Sequence, residues 1–274
     1  MISVGLIVIG ALAAERTDSC DVPPLLPAYS HNDYLAPRPL AEALGAGYRG
    51  VEVDLYRDGN RLLVGHDRRT LRPKRTLEEL YLRPLEMRLS RCDFVLAPNT
   101  TFFLNLELKE LDPEAFRLLV NHLESYSTTL FGRGQVRAVL VGWWPTLQVV
   151  GQPWPAYLGV QLPFEGKPEE TIARAGPPIS LLSVDYSKSL RWNGRGSVPR
   201  RAQNALAEAV RLGRAIGVPV RVHQARGNPR VFTWLLETGV DLIGVKELGP
   251  GTELLAPHGE SPNTSKPDPV KRTQ

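Results

Sequence analysis

The stretch SHNDYLAPRPLAEALGAGYRGVEVDLYRDGNRLLVGHD (Ser30–Asp67) carries the pattern that decides the fold. It begins where the apolar run LLPAYS (25–30) stops. It then passes through RPLAEALGAG, a helical segment ending in the glycines expected at a helix C-terminus, and enters the β-branched run GVEVDLY (50–56). A strand, a helix and a second strand in that order make a βαβ unit with parallel strands. Two of the chain's five histidines, His31 and His66, stand on either side of the acidic pair Glu52 and Asp54.

The same alternation continues to residue 247. Further apolar runs are FFLNLEL (102–108), RAVLVGW (137–143), AYLGVQL (156–162), ISLLSVDYS (179–187), VPVRVHQ (218–224) and DLIGVKE (241–247), which brings the candidate strands to eight. Most gaps hold a helix. TLEELYLRPLEMRLSR places Thr76 and Glu79 at capping-box spacing, and DPEAFRLLVNHLESY opens with Asp112 as cap and Pro113 in the first helical position. PRRAQNALAEAVRLGRAIG is amphipathic and closes on Gly217, and NPRVFTWLLETG pairs an early proline with a final glycine. Repeated β-then-α units predict an α/β chain folded as a single (β/α)8 TIM barrel rather than an open doubly wound sheet. No G-x-G-x-x-G follows the first strand, which argues against a dinucleotide fold. The segment 144–180 does not read as clean helix, and neither an internal repeat nor a linker divides the core.

With 274 residues, 42% hydrophobic and 23% charged, the composition is that of an ordinary globular protein. The net charge of +4 is spread without a basic block, so nucleic acid is not an expected partner. The first residues, MISVGLIVIGALAA, carry no charged side chain, form an apolar run too short to span a bilayer, and end in the small-x-small pattern Ala11-Leu12-Ala13. Residues 1–14 are therefore expected to be a signal peptide and the protein to be exported rather than cytoplasmic. A buried first strand and an uncut anchor are the alternatives. In an exported protein Cys20 and Cys92 are able to pair; two unlinked thiols are the equal alternative. Residues 256–274, rich in Pro, Ser, Lys and Asn, are expected to be a disordered tail that carries His258.

In a barrel of this type the C-terminal ends of the strands build the active site. His31 directly follows the first strand. Glu52 and Asp54 are two apart in the second, so they share a face, which inside a barrel is the lumen. Glu107 lies at the matching end of the third, with Lys109 two residues on. Asp185 ends the sixth, His223 the seventh, and Lys246 and Glu247 the eighth. Glu52, Asp54 and Glu107 offer hard oxygen ligands suited to Mg2+ or Ca2+, His31 and His66 stand apart from them as proton-exchanging groups, and Lys109 adds a fixed charge. This is equipment for holding a phosphate on a metal and cleaving it by acid–base catalysis. Taken singly, each residue has an ordinary reading. An E-x-D pair is common in exposed strands, Asp185 and His223 suit strand-end hydrogen bonds equally well, and His122, among Phe116, Leu119 and Leu123, is expected to be structural.

The ordered set of His31, the E-x-D pair, GHD (65–67) and ELK (107–109) resembles the glycerophosphodiester phosphodiesterase group of the phospholipase-C-like phosphodiesterases. TGVDLIGVKEL (238–248) is similar to that group's last βα unit. The likeness spans roughly residues 25–250 and is nearest to the branch with HNDY at the first histidine, related to the altered-inheritance-of-mitochondria protein. It implies a phosphodiesterase barrel domain over 21–255. His31 and His66 would be the acid–base pair, with a divalent metal on Glu52, Asp54 and Glu107 and phosphate contact from Lys109. From their place at the strand ends, Asp185, His223 and Lys246, with Asn32 where typical members carry arginine, are the candidate substrate contacts. Asn32, and His223-Gln224 in place of a Trp-Thr pair, depart from the pattern and put glycerol specificity in doubt.

The expected activity is metal-dependent hydrolysis of glycerophosphodiesters or (lyso)phospholipid-like substrates, with a small phosphodiester or lipid headgroup as partner and peripheral contact at a membrane for a lipid substrate. The alternatives are phospholipase-D-like transesterification and a non-catalytic phosphate-binding barrel. HND followed by a distant histidine also matches the facial triad of iron oxygenases, which the strand–helix alternation disfavours. The oligomeric state is left open. If residues 1–14 are a signal peptide, mature protein from the native host begins near Ala14 or Glu15; mass spectrometry returning an intact Met1 on soluble cytoplasmic protein would overturn export.

Overall fold

β1 (Ala28–Ser30), β2 (Gly50–Asp58), β4 (Phe102–Leu108), β5 (Val136–Val141), β6 (Leu158–Pro163), β7 (Ile179–Asp185), β8 (Val220–His223) and β9 (Leu242–Val245) are parallel and pair in ring order. The ring closes where β1 meets β2 at Ser30↔Val51 and β9 at Ala28↔Ile243. This is the (β/α)8 barrel expected, and all eight apolar runs are its staves. The computed structural model describes residues 20–110, 113–142, 154–164, 178–225 and 227–260. Most of the 144–180 stretch, the Asp112 cap and residues 1–14 lie outside them.

Outside the ring lie α1 (Ala41–Gly45), α2 (Arg83–Cys92), α3 (Pro113–Glu124), α4 (Arg200–Ile216), α5 (Pro229–Thr238) and α6 (Leu248–Leu255). Their boundaries follow local chemistry. Thr76 Oγ1 accepts from Glu79 N at 3.2 Å, the capping contact expected, and a π-wound turn (Glu78–Leu82) precedes α2, whose Pro84 offers no N–H to that turn. Asn228 caps α5 by accepting from Arg230 N and Val231 N, and Gly239 ends it at φ 104°, a left-handed conformation that costs glycine little.

Strand parity sorts the core. On β2, Val51, Val53 and Leu55 face the helices, while Glu52 and Asp54 occupy the other face, the lumen. Deep in the lumen Tyr29, Phe103, Val139, Leu181 and Leu242 form an apolar cluster, which Val141 extends at the end of β5. Continuing along the same faces toward the C-terminal rim come Asn105, Ser183, Arg221 and the acidic pair, so the lumen grades from apolar to charged. Gly244 has no room for a side chain: a Cβ there would lie 2.5 Å from the Tyr29 hydroxyl.

The structure corrects two expectations. β3 (Arg61–Val64) was not foreseen; it runs antiparallel to the last four residues of β2 through a two-residue turn at Gly59-Asn60. The Gly-Asn pair of RDGNR is a known hairpin signal that barrel periodicity obscures. The boundary of the tail also moves, because the described chain runs on from Ala256 through a short 3-10 turn to Glu260, which pairs with Leu25 by backbone bonds of 2.8 and 2.9 Å.

Cys20 and Cys92 are joined, with Cα atoms 5.4 Å apart, which resolves the two readings left open. The bridge ties the segment before β1 to the end of α2 across 72 residues of chain. Closing a loop of that length should be worth about 4 kcal/mol against the unfolded chain. Reduction, or Cys92→Ala, should lower Tm by roughly 10 °C at this chain size. Equal Tm with and without reductant, or alkylation of both thiols in unreduced unfolded protein, would refute the bridge.

Candidate active site

Glu52 and Asp54 come from β2 and Glu107 from β4, its neighbour, with Asp54 and Glu107 in register. One carboxylate oxygen from each lies within 4.8 Å of the others. Glu52 and Asp54 are 3% and 1% exposed. Two cations compensate them. Lys109 Nζ lies 3.0 Å from Glu107 Oε1 and 3.6 Å from Asp54 Oδ2. Arg221, on β8, is itself 3% exposed and donates to Glu52 Oε2 at 2.5 Å, with its guanidinium 4.3 Å over the Tyr29 ring.

The electrostatics follow from burial and these partners. Burial acts to raise the Glu52 carboxyl, but Arg221 and His31 outweigh it and hold it below the usual range. Glu107 goes the other way: burial and the Asp54 charge push it up against the pull of Lys109. Burial disfavours the Lys109 ammonium, yet Glu107 and Asp54 carry it above its ordinary value. Arg221 is likewise raised, Tyr29 and Glu52 overcoming desolvation. Asp54 Oδ1 is buried and makes no hydrogen bond.

The two histidines sit on the acidic pair rather than apart from it, which corrects the expectation that they stand separate from the carboxylates. His31 Nδ1 lies 3.5 Å from Glu52 Oε1. His66, whose side chain is 55% exposed, places Nδ1 2.9 Å from Asp54 Oδ2. The β2–β3 hairpin explains this second contact. β2 runs past the rim, β3 returns, and Gly65 N donates to the Asp54 carbonyl at 3.2 Å, so the next residue arrives beside the Asp54 carboxylate.

The other expected residues fall on the same rim with varied partners. His223 Nδ1 bonds Ser183 Oγ at 3.0 Å and its Nε2 lies 3.6 Å from Asp185. Burial, then Arg221, push His223 down to about 4 despite Asp185. Asp185 caps the turn that follows it, accepting from Ser187 N and Lys188 N, so much of its capacity is spent locally. Asn32 turns the chain at φ 54°. Lys246 is exposed at the end of β9 and near enough to help lower His31. His122 is structural as expected: it contacts Asn60 O at 3.1 Å and pairs with Glu78.

Sequence reasoning missed Arg221 and Tyr34. Arg221 was detectable, since it shares strand parity with His223 and is a lone charge in an apolar strand. Tyr34 was not, because its contact with Asp54 depends on how the loop after β1 folds back; its hydroxyl donates to Asp54 Oδ2 at 2.8 Å.

Comparison with known proteins shows the chain's family. A family model described as an AIM6-like phosphodiesterase domain matches residues 17–131, a span that includes His31, Glu52, Asp54, His66, Glu107 and Lys109. Altered inheritance of mitochondria protein 6 of Eremothecium gossypii is 32% identical, over 86% of this chain and 74% of that protein. The protein of the same name from Lachancea thermotolerans is 25% identical, over 89% and 68%. A solved glycerophosphodiester phosphodiesterase from Agrobacterium tumefaciens superposes at TM-score 0.49 with 14% identity, covering 86% of this chain and 100% of that one, a likeness too loose to bear on function. The chain belongs to the altered inheritance of mitochondria protein 6 family and carries its phosphodiesterase-like domain.

Proposed function

We propose that the chain is a metal-dependent phosphodiester hydrolase acting on glycerophosphodiesters or (lyso)phospholipid-like substrates, with His31 and His66 as the acid–base pair. The observation that carries this reading is the meeting of Glu52, Asp54 and Glu107 within 4.8 Å in a buried lumen, with Asp54 Oδ1 lacking a protein partner. A buried carboxylate oxygen without a donor is costly, and oxygens from three converging carboxylates fit Mg2+ or Ca2+. A divalent ion held there would supply positive charge against the phosphoryl oxygens of a diester. Lys109, beside Asp54 and Glu107, adds a fixed charge for the same group.

His31 and His66 each turn Nδ1 to a different carboxylate, which leaves Nε2 of each ring to move a proton. Displacement at phosphorus runs roughly in line, so the attacking and leaving oxygens lie on opposite sides. One histidine takes the proton of the attacking alcohol or water, and the other gives one to the leaving oxygen. Membership in a phosphodiesterase-like family supports the reaction class. The Cys20–Cys92 bridge supports export, since such bonds persist in oxidising compartments.

A panel of glycerophosphocholine, glycerophosphoinositol and lysophospholipids should show turnover that EDTA abolishes and Mg2+ or Ca2+ restores. Cyclic phosphate among the products would favour transesterification. Asp54→Asn and Glu107→Gln should weaken ion binding in calorimetry and remove turnover. Replacing His31 or His66 with Asn should lower kcat by about 10²–10⁴-fold. The double variant should lose less than the product of the single losses, because the two act together. Unchanged kcat in both single variants would sink the acid–base assignment and favour a binding barrel.

The pH profile gives a separate check. Burial first, then Arg221 and Lys246, hold His31 below its ordinary value against the pull of Glu52. A base must be neutral to act, so on the acid side activity should be lost as falling pH protonates His31. The acid limb of kcat/KM should lie below the ~6.5 of an unperturbed histidine. An acid limb above that value removes His31 as the base.

A further inference from the structure

The HNDY tetrapeptide (His31–Tyr34) contributes more than its histidine. Asp33 is buried, and its Oδ2 accepts from Leu40 N at 2.6 Å and from the Tyr81 hydroxyl at 3.1 Å. Arg75 donates to the Tyr34 carbonyl. Tyr34 is thus held at the residue before it and at its own backbone, with its side chain carried inward to 4% exposure. The Tyr34 hydroxyl donates to Asp54 Oδ2 at 2.8 Å and lies 3.4 Å from His66 Nδ1, which is itself 2.9 Å from the same Asp54 oxygen. One oxygen of Asp54 therefore takes both partners, while Oδ1 has none.

A phenol has one proton to give. Once Tyr34 spends it on Asp54 Oδ2, its oxygen faces His66 Nδ1 only as an acceptor, and the Asp54 oxygen that takes the Tyr34 proton is an acceptor toward Nδ1 as well. Two acceptors at Nδ1 require a proton there, and Nε2 is left facing neither of them. We propose that Tyr34 is a positioning residue: its bond to Asp54 Oδ2 leaves Oδ1 as the oxygen open to a cation and holds His66 in the Nδ1–H form, with Nε2 free for substrate. The use made of Nε2 rests on the phosphodiesterase reading above, but the geometry does not. Removing the hydroxyl would let Asp54 rotate and let His66 change tautomer without emptying any space a ring must fill.

Tyr34→Phe is the test, and three measurements decide it. In calorimetric titration with Mg2+ or Ca2+ and no substrate, Kd should rise about 10-fold or more, the usual effect of removing a partner that orients a ligand. In long-range 1H–15N NMR of the wild type, His66 should be Nδ1–H, and in Tyr34→Phe it should become mixed or Nε2–H. With the best substrate of the panel, kcat should fall about 10-fold in the otherwise wild-type chain and little in a His66→Ala background, since Tyr34 acts through His66. A wild-type His66 in the Nε2–H form overturns the proposal, and that measurement needs no variant to fold. So does a Tyr34→Phe protein whose Tm drops while ion Kd and tautomer stay unchanged, because that is the signature of packing alone. If no diester is turned over, the reading above fails, and the tautomer and Kd still decide the role of Tyr34.

Discussion

Three carboxylates brought within 4.8 Å of one another inside a barrel repel, and most of the upper lumen is arranged around that repulsion. Water cannot screen it, since Glu52 and Asp54 are almost wholly buried. Breaking one member of a buried ion pair leaves the other uncompensated, a more expensive state than never having formed the pair. Arg221 answers Glu52 from the far side of the ring, and Lys109 answers Glu107 and Asp54 from the adjacent strand end. These two cations do not match three full negative charges. The remainder shows in the raised Glu107 carboxyl and in the Asp54 oxygen that no protein group satisfies.

The two ends of the barrel serve different purposes. At the rim where the strands end, charged groups are held by one another and by short loops: the turn after β1, the β2–β3 hairpin and the capped turn after β7. At the opposite end the chain is clamped. The Cys20–Cys92 bridge, the Leu25–Glu260 pairing and the apolar cluster of Tyr29, Phe103, Leu181 and Leu242 close the base. The clamps lie below and the charged groups above, the division general to such barrels.

The hairpin is the less obvious requirement. Without β3, the chain after β2 would have to reach α2 directly, and His66 would have no fixed approach to Asp54. Running β2 past the rim and folding back through Gly59-Asn60 returns the backbone onto Asp54 itself, where Gly65 N meets the Asp54 carbonyl. The first histidine needs no such device, because β1 ends at the rim and His31 N is bonded to the Val245 carbonyl of the neighbouring strand.

Much of this was legible in the sequence. Eight apolar runs separated by helices specify the barrel, because a parallel strand needs a crossover and only closure hides every edge. Period-two alternation placed Glu52, Asp54 and Glu107 on one face before any coordinates, since side-chain direction along a strand is a local property. Contacts between distant segments were not legible in this way. Arg221 lies 169 residues from Glu52, and no window of sequence contains both. Tyr34 reaches Asp54 only because Asp33 and Arg75 pin the intervening loop, and Cys20 finds Cys92 only once α2 has packed against the ring. Strand, helix and face are decided by neighbours along the chain, so the sequence alone determined them. The partner of each buried charge is decided by ring closure and loop path, which only the tertiary structure settles.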